Sequence, residues 1–82
     1  MGTQQKITLD KLLPGQEAEI VDVTLVGADL QRLLDMGFLE GTQIKMVRNA
    51  PLKDPIDVQI RGYLVALRRR EASGVEVSAH AI

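Results

Sequence analysis

The sequence contains no cysteine, which excludes disulfide bridges, thiolate nucleophiles and the usual structural zinc and iron–sulfur sites. Aromatic residues are nearly absent, with one Tyr, one Phe and no Trp, so the stacking platforms of single-strand nucleic-acid binders are missing. Charged residues interrupt every apolar stretch well before the ~18 residues that a transmembrane helix needs. We therefore expect a cytoplasmic protein that neither inserts directly into a membrane nor binds nucleic acid.

The composition that remains is typical of one small folded domain. Hydrophobic residues make up 45% of the 82 residues and the net charge is -1, too apolar and too neutral for a disordered chain. A chain of this size buries roughly 60 to 65% of the surface that its unfolded form exposes. We expect a flexible N-terminal segment over residues 1–6 and a single domain over residues 7–82.

Charge is distributed unevenly along the chain. Residues 1–43 carry three basic and seven acidic side chains, whereas residues 44–70 carry seven basic and two acidic ones. An acidic first half joined to a basic middle matches a mixed protein surface better than a uniformly charged polyanion. The pattern therefore favours a protein partner.

Short strands account for most of the predicted structure. Alternating apolar residues or glycine- and proline-bounded runs predict strands over residues 17–23, 41–47, 56–61, 63–68 and 75–80. Consecutive apolar residues at Ile20 and Val21 shift the alternation of the first strand, which indicates a bulge or a strand covered on both faces. Residues 63–68 are apolar on both faces, so we expect that strand at the centre of the sheet.

Helical periodicity appears once, over residues 26–36, and Gly37 is expected to end this helix in a left-handed cap. Single helical turns are predicted within residues 7–13, with Thr8 as the N-cap, and within residues 69–74. Two prolines make residues 49–55, which we call the proline loop, a connection rather than a strand. The fold class is therefore mainly β: a small antiparallel barrel of about five strands, with one helix after the first strand.

Two segments are candidate partner-binding surfaces. On the helix, Asp29, Arg32 and Asp35 are spaced three apart, which places Arg32 within reach of both acids. In the proline loop, Leu52 and Lys53 are expected at the tip, beside Asp54. A solvated helix face and a stiff hairpin connection are the structural alternatives. The positions that we expect to shape the backbone are Gly37, Gly41, Pro51, Pro55 and Gly62.

Few residues favour catalysis or a metal site. The chain lacks a phosphate-binding G-x-x-x-x-G-K-[ST] loop and a recognisable nucleophile motif, which predicts a non-enzymatic protein. The single histidine, His80, lies about 13 Å from Glu76 at the rise of a strand, a poor Fe²⁺ site. We expect no tightly bound cofactor and no metal ligands. The basic run at residues 68–70 is interpreted as a strand end leading into a polar turn.

The order of several motifs resembles the FeoA family over residues 7–80. The matching segments are Gly27-x-x-Leu30-x-Arg32-Leu33-x-x-Met36-Gly37, Gly41-x-x-Ile44, Ala50-Pro51-Leu52-x-Asp54-Pro55, and Arg61-Gly62-Tyr63-x-x-Ala66-Leu67-Arg68 with Glu71-Ala72. Two positions depart from the family pattern. Lys53 stands where the loop usually has glycine, and Glu40 stands where proline often precedes the glycine.

The resemblance implies an SH3-like barrel that acts as an accessory to FeoB, a membrane ferrous-iron transporter with a cytoplasmic GTPase domain. Fe²⁺ is then the transported ion of the partner, and the chain is a monomer or a weak homo-oligomer. An arginine supplied in trans to that GTPase, Arg32 or Arg48, is a hypothesis by analogy with arginine fingers. The alternative is an SH3-like metal-binding or metal-sensing module, related to the C-terminal domain of iron-dependent repressors.

Overall fold

The computed structural model describes the backbone of residues 4–80 and the side chains of residues 5–79. The elements in chain order are β1 (Gln4–Thr8), a 3₁₀ turn (Leu9–Lys11), β2 (Glu17–Val23), α1 (Gly27–Asp35), β3 (Gln43–Arg48), β4 (Ile56–Ile60), β5 (Tyr63–Leu67), α2 (Arg69–Ala72) and β6 (Val75–His80).

All six strands belong to one antiparallel sheet in the order β1-β6-β2-β3-β4-β5, so β1 and β5 are its edges. Five strands, both helices and the 3₁₀ turn contribute buried side chains to a single core, and Ile7 of β1 packs against it. One sheet can enclose a core with one of its faces only if it curls around that core. The pairing of β2 with β6 shifts register between Ile20 and Asp22, which confirms a bulge at the expected place.

The sheet has six strands rather than about five, because the polar N-terminal segment forms β1. Residues 4–6 were expected in a flexible segment, yet they pair with β6, with Lys6 opposite Ser78 and Ile7 opposite Val77. The polar run has no alternation of its own to reveal a strand, and the partner strand supplies its backbone hydrogen bonds. Residues 1–3 of the expected flexible segment lie outside the described residues.

The expected position of β5 at the centre of the sheet is wrong. β5 pairs with β4 alone, from Ile60 opposite Tyr63 to Ile56 opposite Leu67. An apolar run on both faces is typical of a central strand only when both faces are covered, and Leu64 is 63% exposed. Sequence pattern therefore cannot separate a covered strand from an edge strand with an apolar outer face.

Helix α1 follows β2 and ends in a glycine cap. It buries Leu33 in the core and ends at Asp35, and Gly37 follows the C-cap Met36 with a φ of +95°, the left-handed conformation expected there. The amide of Gly37 donates to the carbonyl of Leu34 at 3.0 Å, and that of Phe38 donates to the carbonyl of Leu33 at 3.0 Å. The reversal of the chain at this glycine buries Phe38 completely, so the cap also places the largest core side chain.

Candidate functional site

A buried carboxylate in α2 fixes α1 against the rest of the fold. Glu71 is 3% exposed, and its Oε2 accepts a hydrogen bond and ion pair from Nη1 of Arg32. Its Oε1 accepts from the backbone N–H of Arg68 at 3.1 Å, which satisfies a free amide at the start of α2. Because a buried charge is stable only when it is paired and hydrogen-bonded, Glu71 holds α1 and α2 in one relative position.

The acids of α1 do not pair with Arg32, contrary to the helical spacing. Asp29 Oδ2 instead accepts from Nη1 of Arg70 at 3.0 Å, and Asp35 Oδ1 accepts from Nε2 of Gln31 at 2.8 Å. Arg32 turns toward α2 because Glu71 offers a buried partner, whereas pairs along one exposed helix face stabilise by only about 0.2 to 0.5 kcal/mol. The three charged residues therefore do not pair with one another along α1: Arg32 and Asp29 bond to residues of α2, and Asp35 bonds to a neighbour on its own helix.

The proline loop is held by Arg69, the first residue of α2. Its Nε donates to the carbonyl of Lys53 at 2.6 Å, and its Nη2 donates to Oδ1 of Asn49 at 2.7 Å and to the carbonyl of Ala50. Its backbone N–H donates to Oδ1 of Asp54 at 2.9 Å. One arginine thus contacts the loop at four positions, and the loop has a defined conformation because of it.

Asn49 fastens the other side of the proline loop to the N-terminal part of the fold. Its Nδ2 donates to the carbonyls of Asp10 and Leu12, at 2.9 and 2.7 Å. Leu52 is fully exposed, has a φ of +61° and lies in the turn that the Lys53 amide closes onto the carbonyl of Ala50, the expected tip of the loop. Single exposed apolar side chains are common on protein surfaces, so Leu52 is a candidate contact because the backbone that carries it is fixed, rather than because it is exposed.

A groove of about 340 Å³ runs between α1, the proline loop and the C-terminal end of β5. Its lining consists of Arg32, Asp54, Pro55, Ala66 and Arg68. The groove therefore brings together predicted residues from both candidate segments, which the chain separates by more than twenty positions. We refer to α1, the proline loop and this groove together as the docking face.

The other predicted residues, apart from Pro55, lie outside the groove lining. Asp29 and Asp35 are on α1 outside the groove lining, and Leu52 and Lys53 are at the exposed loop tip. Pro51 precedes the tip, and Pro55 follows a cis peptide bond with Asp54. Gly37 follows α1, Gly41 precedes β3, and Gly62 lies in the turn between β4 and β5. The positive φ values of the three glycines agree with their expected role in shaping the backbone.

Sequence reasoning missed the two residues that organise the docking face, Glu71 and Arg69. A local signal existed for Glu71, because it lies three residues after the N-cap Arg68, at the position where a capping carboxylate belongs. No local pattern singles out Arg69, since all its partners lie fifteen to twenty residues earlier. Arg48, expected as an alternative trans-acting arginine, is on β3 and 3.8 Å from the carboxylate of Asp57.

No group of three or more His, Cys, Asp or Glu side chains that could hold a metal ion occurs among the residues that the structure describes. His80 contributes its backbone to β6, but its side chain lies outside the described ones, so its predicted place relative to Glu76 stays a prediction. Between residues 4 and 80, no helix has the length and apolarity needed to cross a membrane.

The architecture defines the class of protein as a small SH3-like domain. A FeoA of Stenotrophomonas maltophilia, solved in complex with zinc and described as a procaryotic SH3 domain protein, superposes with a TM-score of 0.78 at 32% identity, covering 87% of this chain and 88% of that one. A manganese-dependent transcriptional repressor shares the fold alone, with a TM-score of 0.83 at 15% identity over 94% of this chain and 43% of the repressor. The expected fold class is confirmed.

The chain belongs to the FeoA domain family, whose model matches residues 7–79. A FeoA protein of Chlorobium tepidum has a TM-score of 0.82 at 40% identity, covering 92% of this chain and 71% of that one. A fusion of Fe(2+) transport protein A with Fe(2+) transporter FeoB, from Porphyromonas gingivalis, is 44% identical over 69 residues. That match covers 84% of this chain but only 8% of the fusion protein.

Proposed function

We propose that this chain is a non-enzymatic, cytoplasmic accessory protein of ferrous iron transport that binds the cytoplasmic part of a FeoB-like membrane transporter. The observation that carries the proposal is the relative from P. gingivalis, which joins a homologous segment to an Fe(2+) transporter in one polypeptide. Joining two modules makes their contact intramolecular and raises its effective concentration. A separate chain of the same family is proposed to make that contact in trans.

The docking face has the properties that this contact requires. Arg69 restrains the proline loop, and the pair of Arg32 with Glu71 restrains α1, so little conformational freedom remains to be lost when a partner binds. Leu52 offers a fully exposed apolar side chain at the loop tip, and Lys53 is an exposed charge beside it. An apolar contact surrounded by charge is a common arrangement in protein interfaces.

Binding is proposed to modulate the transporter by favouring one of its conformations. A bound module shifts an equilibrium only by the difference between its affinities for the two states. In this scheme Fe²⁺ is the cargo of the transporter, and the accessory chain needs neither a bound cofactor nor a reacting group of its own. An effect on GTP hydrolysis then follows from the shifted conformation.

The direct test is a titration of the full chain with the purified cytoplasmic part of the FeoB-like transporter, followed by calorimetry and by the rate of GTP hydrolysis. We expect a dissociation constant on the order of micromolar, at the weak end for protein interfaces. We also expect a changed hydrolysis rate at saturation. The absence of any binding at a concentration of about 1 mM would remove the proposal.

Two substitutions and a matched control locate the contact. Lys53→Glu and Leu52→Ser alter exposed side chains of the loop tip while leaving the backbone bonds of the loop in place, and each is expected to weaken binding by about tenfold. Lys6→Glu makes the same charge change on β1 and is expected to leave affinity unchanged. Equal losses in Lys53→Glu and Lys6→Glu would mean that net charge, rather than the docking face, determines binding, and unchanged affinity in Leu52→Ser would exclude the loop tip as an apolar contact.

A metal-binding or metal-sensing module is the second candidate function. The zinc complex of the S. maltophilia relative, at 32% identity, is the observation that favours it. Calorimetry of the chain alone with Fe²⁺, Mn²⁺ and Zn²⁺ separates the two candidates. One tight stoichiometric site would favour the module, whereas the accessory role predicts no such site.

A further inference from the structure

The outer edge of β5 has unpaired backbone groups in a predictable pattern. β4 and β5 are joined by a two-residue turn at Arg61 and Gly62, which both have positive φ, so the flanking pair of Ile60 and Tyr63 is hydrogen-bonded. In an antiparallel pair, hydrogen-bonded and non-bonded positions alternate. The N–H and C=O groups of Leu64 and Ala66 therefore point away from β4, toward the free edge.

The surface along this edge is apolar and is open from Leu64 onward, whereas the Tyr63 hydroxyl at its start donates to the carbonyl of Met36 at 2.7 Å. Leu64 is 63% exposed and Tyr63 is 47% exposed, while Ala66 lines the groove of the docking face. Edge strands of soluble proteins usually carry a charge, a proline or a bulge that prevents pairing with another chain. β5 carries none of these within its five residues, YLVAL.

Positive charge stands at both ends of the edge. Arg61 lies in the turn before β5, and Arg68 follows the last residue of the strand and lines the groove. Within the described part of the chain, neither guanidinium has a carboxylate partner, in contrast to Arg32, Arg48 and Arg70. An added strand with an acidic residue near each end would complement both arginines.

The same charges argue against a second copy of this chain as the occupant. Antiparallel pairing of two β5 strands would place Arg61 of one copy beside Arg68 of the other, and parallel pairing would place each arginine beside its equivalent. Both arrangements bring like charges together across a strand pair, which is destabilising.

We propose that β5 accepts an extended segment of the partner protein as a seventh strand, and that this segment is apolar in its middle and acidic at both ends. The main-chain groups of Leu64 and Ala66 provide the pairing, while Arg61 and Arg68 select the charge of the ends. The inference deepens the proposed function and depends on it only for the identity of the partner. It adds the chemistry and the conformation of the segment that binds to the β5 edge, next to the docking face.

The test uses a defined peptide with the full chain, so that its outcome is independent of any transporter. The probe is an eight-residue peptide of alternating valine and threonine with glutamate at each end, and the control peptide has lysine at both ends. We expect the glutamate peptide to bind at least about tenfold more tightly. We also expect it to slow hydrogen exchange of the Leu64 and Ala66 amides, which should exchange fast in the chain alone because they face away from β4.

Three variants complete the test. Ala66→Pro removes an edge donor without removing a bond to β4, and Arg68→Glu reverses one end charge. Each should lower the affinity for the glutamate peptide by at least about tenfold. Lys6→Glu, the same charge change on β1, should leave its affinity unchanged. The inference is overturned if the peptide leaves the two amides unprotected, if both peptides bind equally, or if these amides are already protected by self-association of the chain. None of these results decides the proposed function, which the titration with the cytoplasmic part of the transporter tests separately.

Discussion

The two edges of the sheet differ in how they meet solvent. β1 presents the polar, exposed side chains of Gln5 and Lys6 along its length, whereas β5 presents Tyr63 and Leu64. A lysine within an edge strand hinders the approach of another strand, and β5 has positive charge only beyond its ends. The β5 edge, whose Ala66 lines the groove, is therefore the more open of the two to pairing, and a charged side chain hinders pairing at β1.

A proline placed at adjacent positions of β5 gives the largest expected effect. Val65→Pro removes an amide that bonds to β4 and disturbs a buried side chain, so the free energy of unfolding should fall by about 3 kcal/mol or more. Ala66→Pro should cost no more than about 1 kcal/mol, because its amide faces the free edge. Urea unfolding of both variants measures the difference. Equal losses would show that β5 has no free side.

Removing the buried carboxylate of α2 is the next largest change. Glu71→Ala deletes the partner of Arg32 and the acceptor of the Arg68 amide, and should lower the free energy of unfolding by about 2 to 3 kcal/mol. Half of the Arg32 side chain is exposed, which keeps the value below that of a fully buried pair. Glu17→Ala, an exposed glutamate of β2, should change stability by less than about 0.5 kcal/mol.

Loss of the arginine that holds the proline loop should act mainly on local order. Arg69→Ala removes three side-chain hydrogen bonds to the loop, and we expect a stability loss of about 1 to 2 kcal/mol. Amides of residues 49–55 should exchange faster, while those of β1 keep their rates. Hydrogen exchange followed by mass spectrometry checks this pattern. Uniformly faster exchange over both edges would indicate global destabilisation instead.

The ion pair between Arg70 and Asp29 should matter least. Their side chains are 66% and 39% exposed, so the Arg70→Ala variant should lose less than about 0.5 kcal/mol. High salt should reduce even that difference because exposed charges are screened. Thermal unfolding at low and high ionic strength measures both effects. A loss as large as that of Glu71→Ala would mean that the exposed pair holds α1 in place as strongly as the buried carboxylate does.

The sequence was informative wherever neighbouring residues determine the structure. The alternation of β4, the helical period of α1 and the cap at Gly37 all depend on residues within a few positions of one another, and each prediction was confirmed. The family resemblance supplied the SH3-like fold, which matched solved structures show.

Long-range contacts were the part that the sequence did not reveal. β1 is a strand because β6 pairs with it, and among residues 4–80 the pairing partner of β5 is β4 alone, which places β5 at the edge. Arg32 bonds to a residue 39 positions away instead of the acids on its own helix. Helical spacing predicts which side chains of one helix can pair. A buried carboxylate elsewhere in the chain is a stronger partner for an arginine, and only the fold shows where it lies.

The most direct measurement is hydrogen exchange of the full chain with and without the cytoplasmic part of the FeoB-like transporter. We predict slower exchange in α1, in the proline loop and at Leu64 and Ala66 of β5, with unchanged rates in β1. Protection confined to β1, or no change anywhere at saturating concentrations of the transporter part, would contradict the proposal that the transporter binds at the docking face.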